Sequence, residues 1–363
     1  MRLRHFFTLV FVTLALTSGV ASADLRVASF NIQNLGWGEV KRYDHLADIV
    51  SRFDLVAVQE VMNAEAIYRL RDELESTSGE SWGVLYSDRL GRTRYREKYA
   101  FLWRDSSVEF TGEAVTYIDD ADLFAREPMA ARFRSMKTGL TLVYATLHAV
   151  YGNTVAERVA EAVALRQYWD WLAEVFAEGE PIIIGGDFNL PPSNNAWDAM
   201  RDVAFAAITD GATTVSPIDG RFANLYDNFW LPLRPALAVI DAGIMDVPAM
   251  LGLTHGEMRR FVSDHVPVYF RLHGAPPVSL AAIGNKTEPE QDTDVPFVDD
   301  PDCVDLNQAN VEELQQIQHI AAERARDIVA GRPWDSVDAL ARIDGIGPAR
   351  LRDIHAQGVA CVP

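Results

Sequence analysis

Between Leu25 and about Leu272 the chain alternates short apolar and β-branched runs with longer stretches whose apolar positions recur at helical spacing. LRVASFNI (25–32), LVAVQE (55–60), YAFLWR (99–104), LTLVYATLH (140–148), PIIIGGDFN (181–189) and VPVYFRL (266–272) read as strands. Residues 43–52, 63–76 and 155–177 read as helices. Such alternation predicts an α/β layered domain. Polar residues gather where the apolar runs stop: Asn31, Glu60, His148, Asp187 with Asn189, and Asp264-His265 just ahead of the last run. A core has no need of them there, whereas a site assembled at one edge of packed sheets does.

After Arg271 the pattern fades. HGAPPVSLAAIGNKTEPEQDTDVPFVDDPD is rich in Pro, Gly and acids, with Lys286 its only base. That composition cannot bury a core and reads as an extended linker over 274–300. Beyond it LQQIQHIAAERARDIV, from Leu314, and LARIDGIGPARLRDI, from Leu340, align so that Leu314 matches Leu340, Ile317 matches Ile343 and Ile320 matches Ile346. Each copy reads as helix, tight hairpin, helix. The expected organisation is a large domain over 24–273, the linker, and a small helical domain over 301–363.

The start, MRLRHFFTLVFVTLALTSGVASA, has basic residues, an apolar run from Phe6 to Leu16 and the small-residue site Ala21-Ser22-Ala23. It reads as a signal peptide over 1–23, which predicts export to a periplasm or the medium and no membrane anchor after cleavage. An uncleaved anchor is the alternative. Net charge is -19, and removal of 1–23 takes away Arg2 and Arg4, leaving 31 basic against 52 acidic residues. A chain this acidic does not bind polyanions by bulk attraction; only a local basic feature or a bound metal could do so. The two cysteines, Cys303 and Cys361, flank the small domain, and export to an oxidising compartment predicts a disulfide between them, two unrelated free thiols being the alternative.

The strand-end inventory carries chemistry. Carboxylates and amide oxygens without thiolates suit a hard divalent cation, Mg²⁺ first and Mn²⁺ or Ca²⁺ as alternatives, rather than zinc. His148 and His265 have candidate carboxylate partners in other segments, and such a partner on one ring nitrogen fixes the tautomer and raises basicity at the other. Acidic oxygens, a hard cation and His-carboxylate pairs together are the apparatus of phosphoester hydrolysis. One stretch stands against the overall charge: in DRLGRTRYREKYAFLW (88–103), Arg89, Arg92, Arg94, Arg96 and Lys98 crowd around Tyr95. Bases neutralise phosphates and an aromatic offers a stacking face, neither demanding a particular base sequence; internal ion pairing is the plainer alternative.

SFNIQNLG, AVQEV, LGRTRYREKYAFLW, REP, ATLHA, GGDFN, NLYDNFW and SDHVP occur in the order of the endonuclease/exonuclease/phosphatase superfamily, and the third and fourth resemble its deoxyribonuclease I-like branch. The resemblance covers 25–272 and implies a two-sheet α/β sandwich with its site at the sheet edge. It also implies that Asn31 and Glu60 form a metal-site pair completed by Asp264, and that Asp187 and Asn189 orient water and the scissile phosphate. His148 would pair with Glu97 and His265 with Asp227 as the two catalytic histidines. Tyr95 would face the minor groove, with Arg92, Arg94 and Arg126 on phosphates. Two family arginines are missing, one soon after the Glu60 position and one where Asn228 stands, which removes two expected phosphate contacts.

LNQANVEELQQI with SVDALARIDGIGPARL resembles the tandem helix-hairpin-helix domain of competence-type DNA receptors. The resemblance implies backbone phosphate contacts at Gly345-Ile346-Gly347, compromised in the first copy, where His319-Ile320-Ala321 stands. The sequence-based expectation is an exported, monomeric, metal-dependent DNA endonuclease of low sequence specificity whose C-terminal domain helps hold DNA, with no protein partner identifiable. Its rivals are a lipid or sugar phosphodiesterase of the sphingomyelinase kind and a DNA-uptake protein with a non-catalytic nuclease-like scaffold.

Overall fold

The computed structural model describes residues 25–37, 40–93, 95–152, 154–216, 221–273, 304–309, 311–315, 317–334, 336–357 and 359–362. The expected signal peptide 1–23, the linker 274–300, Arg94 and Cys303 lie outside them, and with Cys303 the expected disulfide.

Two six-stranded sheets form the large domain. The first runs β11 (Val239–Ile244), β12 (Val268–Leu272), β1 (Arg26–Leu35), β2 (Leu55–Val61), β4 (Lys98–Arg104), β3 (Trp82–Tyr86). The second runs β5 (Val108–Thr116), β6 (Met129–Ser135), β7 (Thr141–His148), β8 (Ile182–Asp187), β10 (Asp227–Pro232), β9 (Ala204–Ala206). Because side chains alternate along a strand, each sheet feeds two cores. Leu55, Ala57, Phe101, Leu142, Tyr144 and Phe229 fill the space between the sheets. Val56, Val58, Ala100 and Leu102 face the other way, with α1 (Tyr43–Val50), α2 (Ala64–Ser78), α5 (Val247–Leu251) and α6 (His255–Phe261) contributing to the same core. Val143, Ala145 and Ile184 pack with Leu165, Tyr168 and Leu172 of α3 (Val155–Val175) and with Met200 of α4 (Asp198–Arg201). The α/β sandwich expected from the sequence is the architecture found.

Polar bolts join the sheets inside the apolar layer. The Tyr144 hydroxyl donates to the Ala28 carbonyl at 2.7 Å, and Gln59 Nε2 donates to Thr146 Oγ1 at 2.7 Å. Strands β7 and β8 run parallel and pair up to His148 and Asp187, so both residues leave the sheet at one edge. Gly186 permits that pairing, since a Cβ there would stand 2.0 Å from the Leu147 carbonyl oxygen.

The C-terminal segment has its own core, in which all three repeat pairs, Leu314 and Leu340, Ile317 and Ile343, Ile320 and Ile346, are buried. Copy one is α7 (Val311–Leu314) and α8 (Ala322–Ala330). Copy two opens with a 3₁₀ turn, Val337–Arg342, instead of the expected α-helix, followed by α9 (Pro348–Gln357). Strands β13 (Val304–Asp305) and β14 (Ala360–Cys361) close it as a parallel pair. His319 takes φ 65°, matching φ 75° at Gly345, so the first hairpin keeps the backbone turn despite losing its glycine. Its Nε2 lies 2.6 Å from Asp353 Oδ2 on α9, which ties the copies together. Among the described residues no helix is long and apolar enough to cross a membrane.

Candidate active site

The strand ends converge. Asn31 is fully buried, and its amide nitrogen donates to Glu60 Oε1 at 2.9 Å and to Asp187 Oδ2 at 3.2 Å. Glu60 is aimed by a local break in strand pairing: its φ is +60°, and the β2–β4 register shifts between Val58 and Val61. Bulges of this kind redirect side chains beside active sites. Asn189 is also held at positive φ, 49°, with its N–H on Asp187 Oδ1 and its amide on the Ala149 carbonyl. Backbone strain concentrated at such residues is a mark of functional geometry.

Two imidazoles flank this centre. His148 Nδ1 lies 3.0 Å from both Glu97 oxygens, and its Nε2 lies 3.5 Å from Asp187 Oδ2. His265 Nδ1 lies 2.7 Å from Asp227 Oδ2, and its Nε2 lies 3.6 Å from the same Asp187 oxygen. Burial works against a charged ring at both positions, and Arg126 does so at His148. The carboxylates prevail: Glu97 and Asp187 raise His148 above the ordinary histidine range, and Asp227 and Asp187 raise His265 well above it. Glu97 is pulled below the usual carboxylate range despite burial, by His148 and Arg126.

A hard cation fits the donor set. One donor atom each from Asp187, Asp227 and His265 lie within 4.8 Å of one another, and Asp187 also meets the Asn31–Glu60 pair. Among the described residues Asn31 Oδ1 and Asp227 Oδ1 are buried with no hydrogen-bond partner, the state expected of oxygens waiting for a ligand. Asp264, expected to complete the Asn31–Glu60 pair, has its Oδ2 taken by Gln33 Nε2 at 3.0 Å and Arg259 Nη1 at 3.1 Å, and the second carboxylate bonded to Asn31 is that of Asp187. The reason is local: Ser263 bonds the Asn31 carbonyl and receives the His265 N–H, which turns His265 inward and leaves Asp264 at the rim beside α6.

The expected nucleic-acid contacts divide. Tyr95 is half-buried, with its hydroxyl donating to Glu60 Oε2 at 3.1 Å, so it supports the acid as well as presenting a ring. Arg92 is exposed but bridged to Asp122 at 2.6 Å, the ion-pairing alternative. Arg126, expected among the phosphate contacts, is held within the protein. Its guanidinium donates to the His148 and Ala149 carbonyls at 3.0 and 3.2 Å and stands 3.6 Å from Glu97, behind the histidine. Gly345 and Gly347 lie in the small domain's second hairpin, where a Cβ at Gly347 would meet nothing within 4 Å. Asn228, in place of an expected arginine, is buried and exchanges both amide bonds with the Ile208 backbone, at 2.7 and 3.1 Å.

Some supporting residues escaped the sequence reading. Glu161 of α3 is 4% exposed and accepts the Ala125 N–H at 2.6 Å and the Val150 N–H at 2.7 Å. With Arg126 it laces the two loops around His148. A carboxylate in line with Leu165, Tyr168 and Leu172 on an apolar helical stripe was the available signal. Tyr99 takes the His148 N–H at 3.0 Å, and Asn34 gives its N–H to Glu60 Oε2 at 3.0 Å. Neither had a sequence signal beyond strand pattern.

Two sheets face to face, with carboxylate-paired imidazoles around an acidic centre at their common edge, define the class: a hydrolase site suited to phosphorus esters. The sequence pattern of the Endonuclease/Exonuclease/phosphatase family matches residues 28–265, and that of the Helix-hairpin-helix motif matches 301–357. The chain is 50% identical over 357 residues to a protein named Deoxyribonuclease from Thioalkalivibrio sp. (strain K90mix), covering 96% of each chain. It is 30% identical over 280 residues to human Deoxyribonuclease-1, covering 71% of this chain and 95% of that one. Among solved structures, an endonuclease/exonuclease/phosphatase family protein from Leptotrichia buccalis shares the fold at TM-score 0.52 and 15% identity, over 69% of this chain and 99% of that one. The chain belongs to the endonuclease/exonuclease/phosphatase family.

Proposed function

We propose that this protein is an exported, metal-dependent endonuclease that hydrolyses DNA phosphodiester bonds with little sequence specificity, its C-terminal domain helping to hold the substrate. The observation that carries the reading is the pair of imidazoles whose Nε2 atoms lie 3.5 and 3.6 Å from one Asp187 oxygen, each backed by a carboxylate at Nδ1. Similarity to proteins named deoxyribonuclease supports DNA as the substrate. The signal-like start supports export, and the cysteine pair flanking the small domain supports a Cys303–Cys361 disulfide. We take the working unit to be a monomer.

A divalent cation held by Asn31, Glu60 and Asp187 would offset charge on the phosphorus oxygens; Mg²⁺ suits the oxygen donors. The chain's own groups move the protons. With Nδ1–H given to its carboxylate, each ring presents Nε2 to the centre. On one ring a neutral Nε2 accepts a proton from the attacking water as its oxygen bonds to phosphorus. On the other a protonated Nε2 delivers a proton to the leaving oxygen as its bond to phosphorus breaks. Asn189, fixed through Asp187 and Ala149, offers its amide edge for orientation of the phosphate.

A plasmid-nicking assay with and without chelator, run beside sphingomyelin and inositol phosphates, tests this. We expect nicked circles only with divalent metal and no turnover of the other two substrates. His148→Ala and His265→Ala should each abolish cleavage while DNA binding persists; turnover retained by both variants would refute the assignment.

A further inference from the structure

A basic-aromatic cluster lies beside the centre, on the second sheet's side. Arg158, in the first turns of α3, places its guanidinium 3.9 Å from the centre of the Tyr151 ring and donates from Nε to the Tyr151 carbonyl at 2.6 Å. Its Nη1 reaches the Tyr226 hydroxyl at 3.3 Å and the Asn189 carbonyl at 3.5 Å. Asn189 and Tyr226 adjoin Asp187 and Asp227, so the cluster abuts the centre where the phosphate would be cleaved. Tyr151 is 50% exposed, a large ring turned to solvent with a cation stacked on it.

Its pairing distinguishes this arginine. Arg126 and Arg259 also touch site residues, and each faces a carboxylate, Glu97 and Asp264. Arg158 forms no ion pair with any carboxylate among the described residues, in a chain of net charge -19. A guanidinium stacked on an aromatic ring, with no carboxylate to neutralise it, is prepared for an anion brought from outside. The other flank of the centre carries Tyr95, which leans on Glu60 of the first sheet.

We propose that Arg158, Tyr151 and Tyr226 form a nucleotide subsite, in which Arg158 takes the phosphate next to the scissile one and Tyr151 stacks on the attached sugar or base. This rests on the nuclease reading above. The substrate strand then crosses the sheet edge with one aromatic on each side: Tyr95 from the first sheet, Tyr151 from the second. The subsite would also make up for one of the two missing contacts: where an arginine was expected, Asn228 serves the Ile208 backbone, and Arg158 supplies a cation at the rim instead. Stacking and phosphate contact carry no base preference, in keeping with low sequence specificity.

The test uses the full chain with Arg158→Met, which keeps an unbranched apolar stem on Tyr151, beside Arg166→Met as a charge-matched control on the same helix. Arg166 is paired with Asp170. Cleavage of a duplex oligonucleotide and of bis(4-nitrophenyl) phosphate is measured, with DNA binding by the metal-free protein across a salt series. For Arg158→Met we expect KM for the oligonucleotide to rise about tenfold, as for loss of one charge-assisted contact, with kcat nearly unchanged. The slope of log affinity against log salt should fall by about one, and Arg166→Met should do neither. The short diester, which cannot reach the subsite, should be turned over alike by both variants. An unchanged KM and salt slope in folded Arg158→Met would overturn the subsite. So would a parallel loss of kcat on both substrates, which would make Arg158 a support for Asn189. A wild-type protein that cleaves the short diester but no nucleic acid would overturn the nuclease reading itself, and the subsite with it.

Discussion

Replacing Asp227 by Asn keeps the size of the side chain and removes its charge. In the wild type His265 Nδ1 sits 2.7 Å from Asp227 Oδ2, both residues are buried, and the Asp227 N–H is held by Thr213 Oγ1 at 3.1 Å, so the carboxylate has little freedom to move. Loss of one hydrogen bond between charged partners costs roughly 1.5–3 kcal/mol. The amide adds a second defect. If its NH₂ turns toward the ring, Nδ1 must accept, the proton moves to Nε2, and the neutral ring can no longer take a proton there. Together these place the variant within the range of a lost general acid or base, about 10²- to 10⁴-fold in kcat, or roughly 2.7–5.5 kcal/mol. Initial rates on supercoiled plasmid at saturating DNA and metal would measure it, with KM expected to stay within about threefold because Asp227 acts through His265, on whose Nδ1 it sits. A kcat within a factor of three of wild type would refute the claim that the Asp227–His265 pair handles a proton.

Other outcomes follow from the same geometry. In chelated protein the NMR titration midpoint of His148 should lie above the ordinary histidine value and drop in Glu97→Gln. The signs are opposite for the two partners. His148, raised in the fold, stabilises below its unfolded pKa, and that is lost as pH climbs through the folded value. Glu97, depressed in the fold, stabilises above its unfolded pKa, and that is lost as pH falls through the folded value. Thermal melts of wild type against Glu97→Gln should therefore diverge most between those two folded values. Tyr95→Phe removes the hydroxyl bond to Glu60, and the metal concentration for half-maximal activity should rise about tenfold, a typical effect for a group that orients a ligand. Glu161→Gln leaves one of two buried N–H groups without an acceptor, at roughly 1–3 kcal/mol, which calorimetry should register as a fall in Tm of about 2–12 °C. Gly345→Val forces a β-branched residue to φ 75°, and DNA retention by full-length His265→Ala protein should weaken when it is added.

The site was legible in the sequence where apolar runs met abrupt polar ends. Asn31, Glu60, His148 and Asp187 all stand at that boundary, and strand pairing brings His148 opposite Asp187. The partners at Nδ1 were legible only through the family resemblance, because nothing in the spacing of Glu97 or Asp227 says which imidazole each will meet. β5 passed unnoticed, since its polar sequence lies on an exposed edge where alternation is weak. The clamping contacts of Arg126 were not legible: an arginine beside a phosphate and one holding backbone carbonyls look alike in sequence, and only the structure shows it against Glu97. Asp264 and His265 are neighbours in sequence, yet the imidazole meets Asp227 while the adjacent carboxylate meets Arg259, a divergence that sequence spacing does not reveal.

Asn31 and Glu60 belong to one sheet, His148, Asp187 and Asp227 to the other, and the bond from Asn31 to Asp187 spans 156 positions of sequence. No contiguous fragment of the large domain therefore carries a working half-reaction. Proteolytic nicks that let the two layers slide should silence the enzyme abruptly while much secondary structure survives, so catalytic decay would report on sandwich closure more sensitively than circular dichroism does.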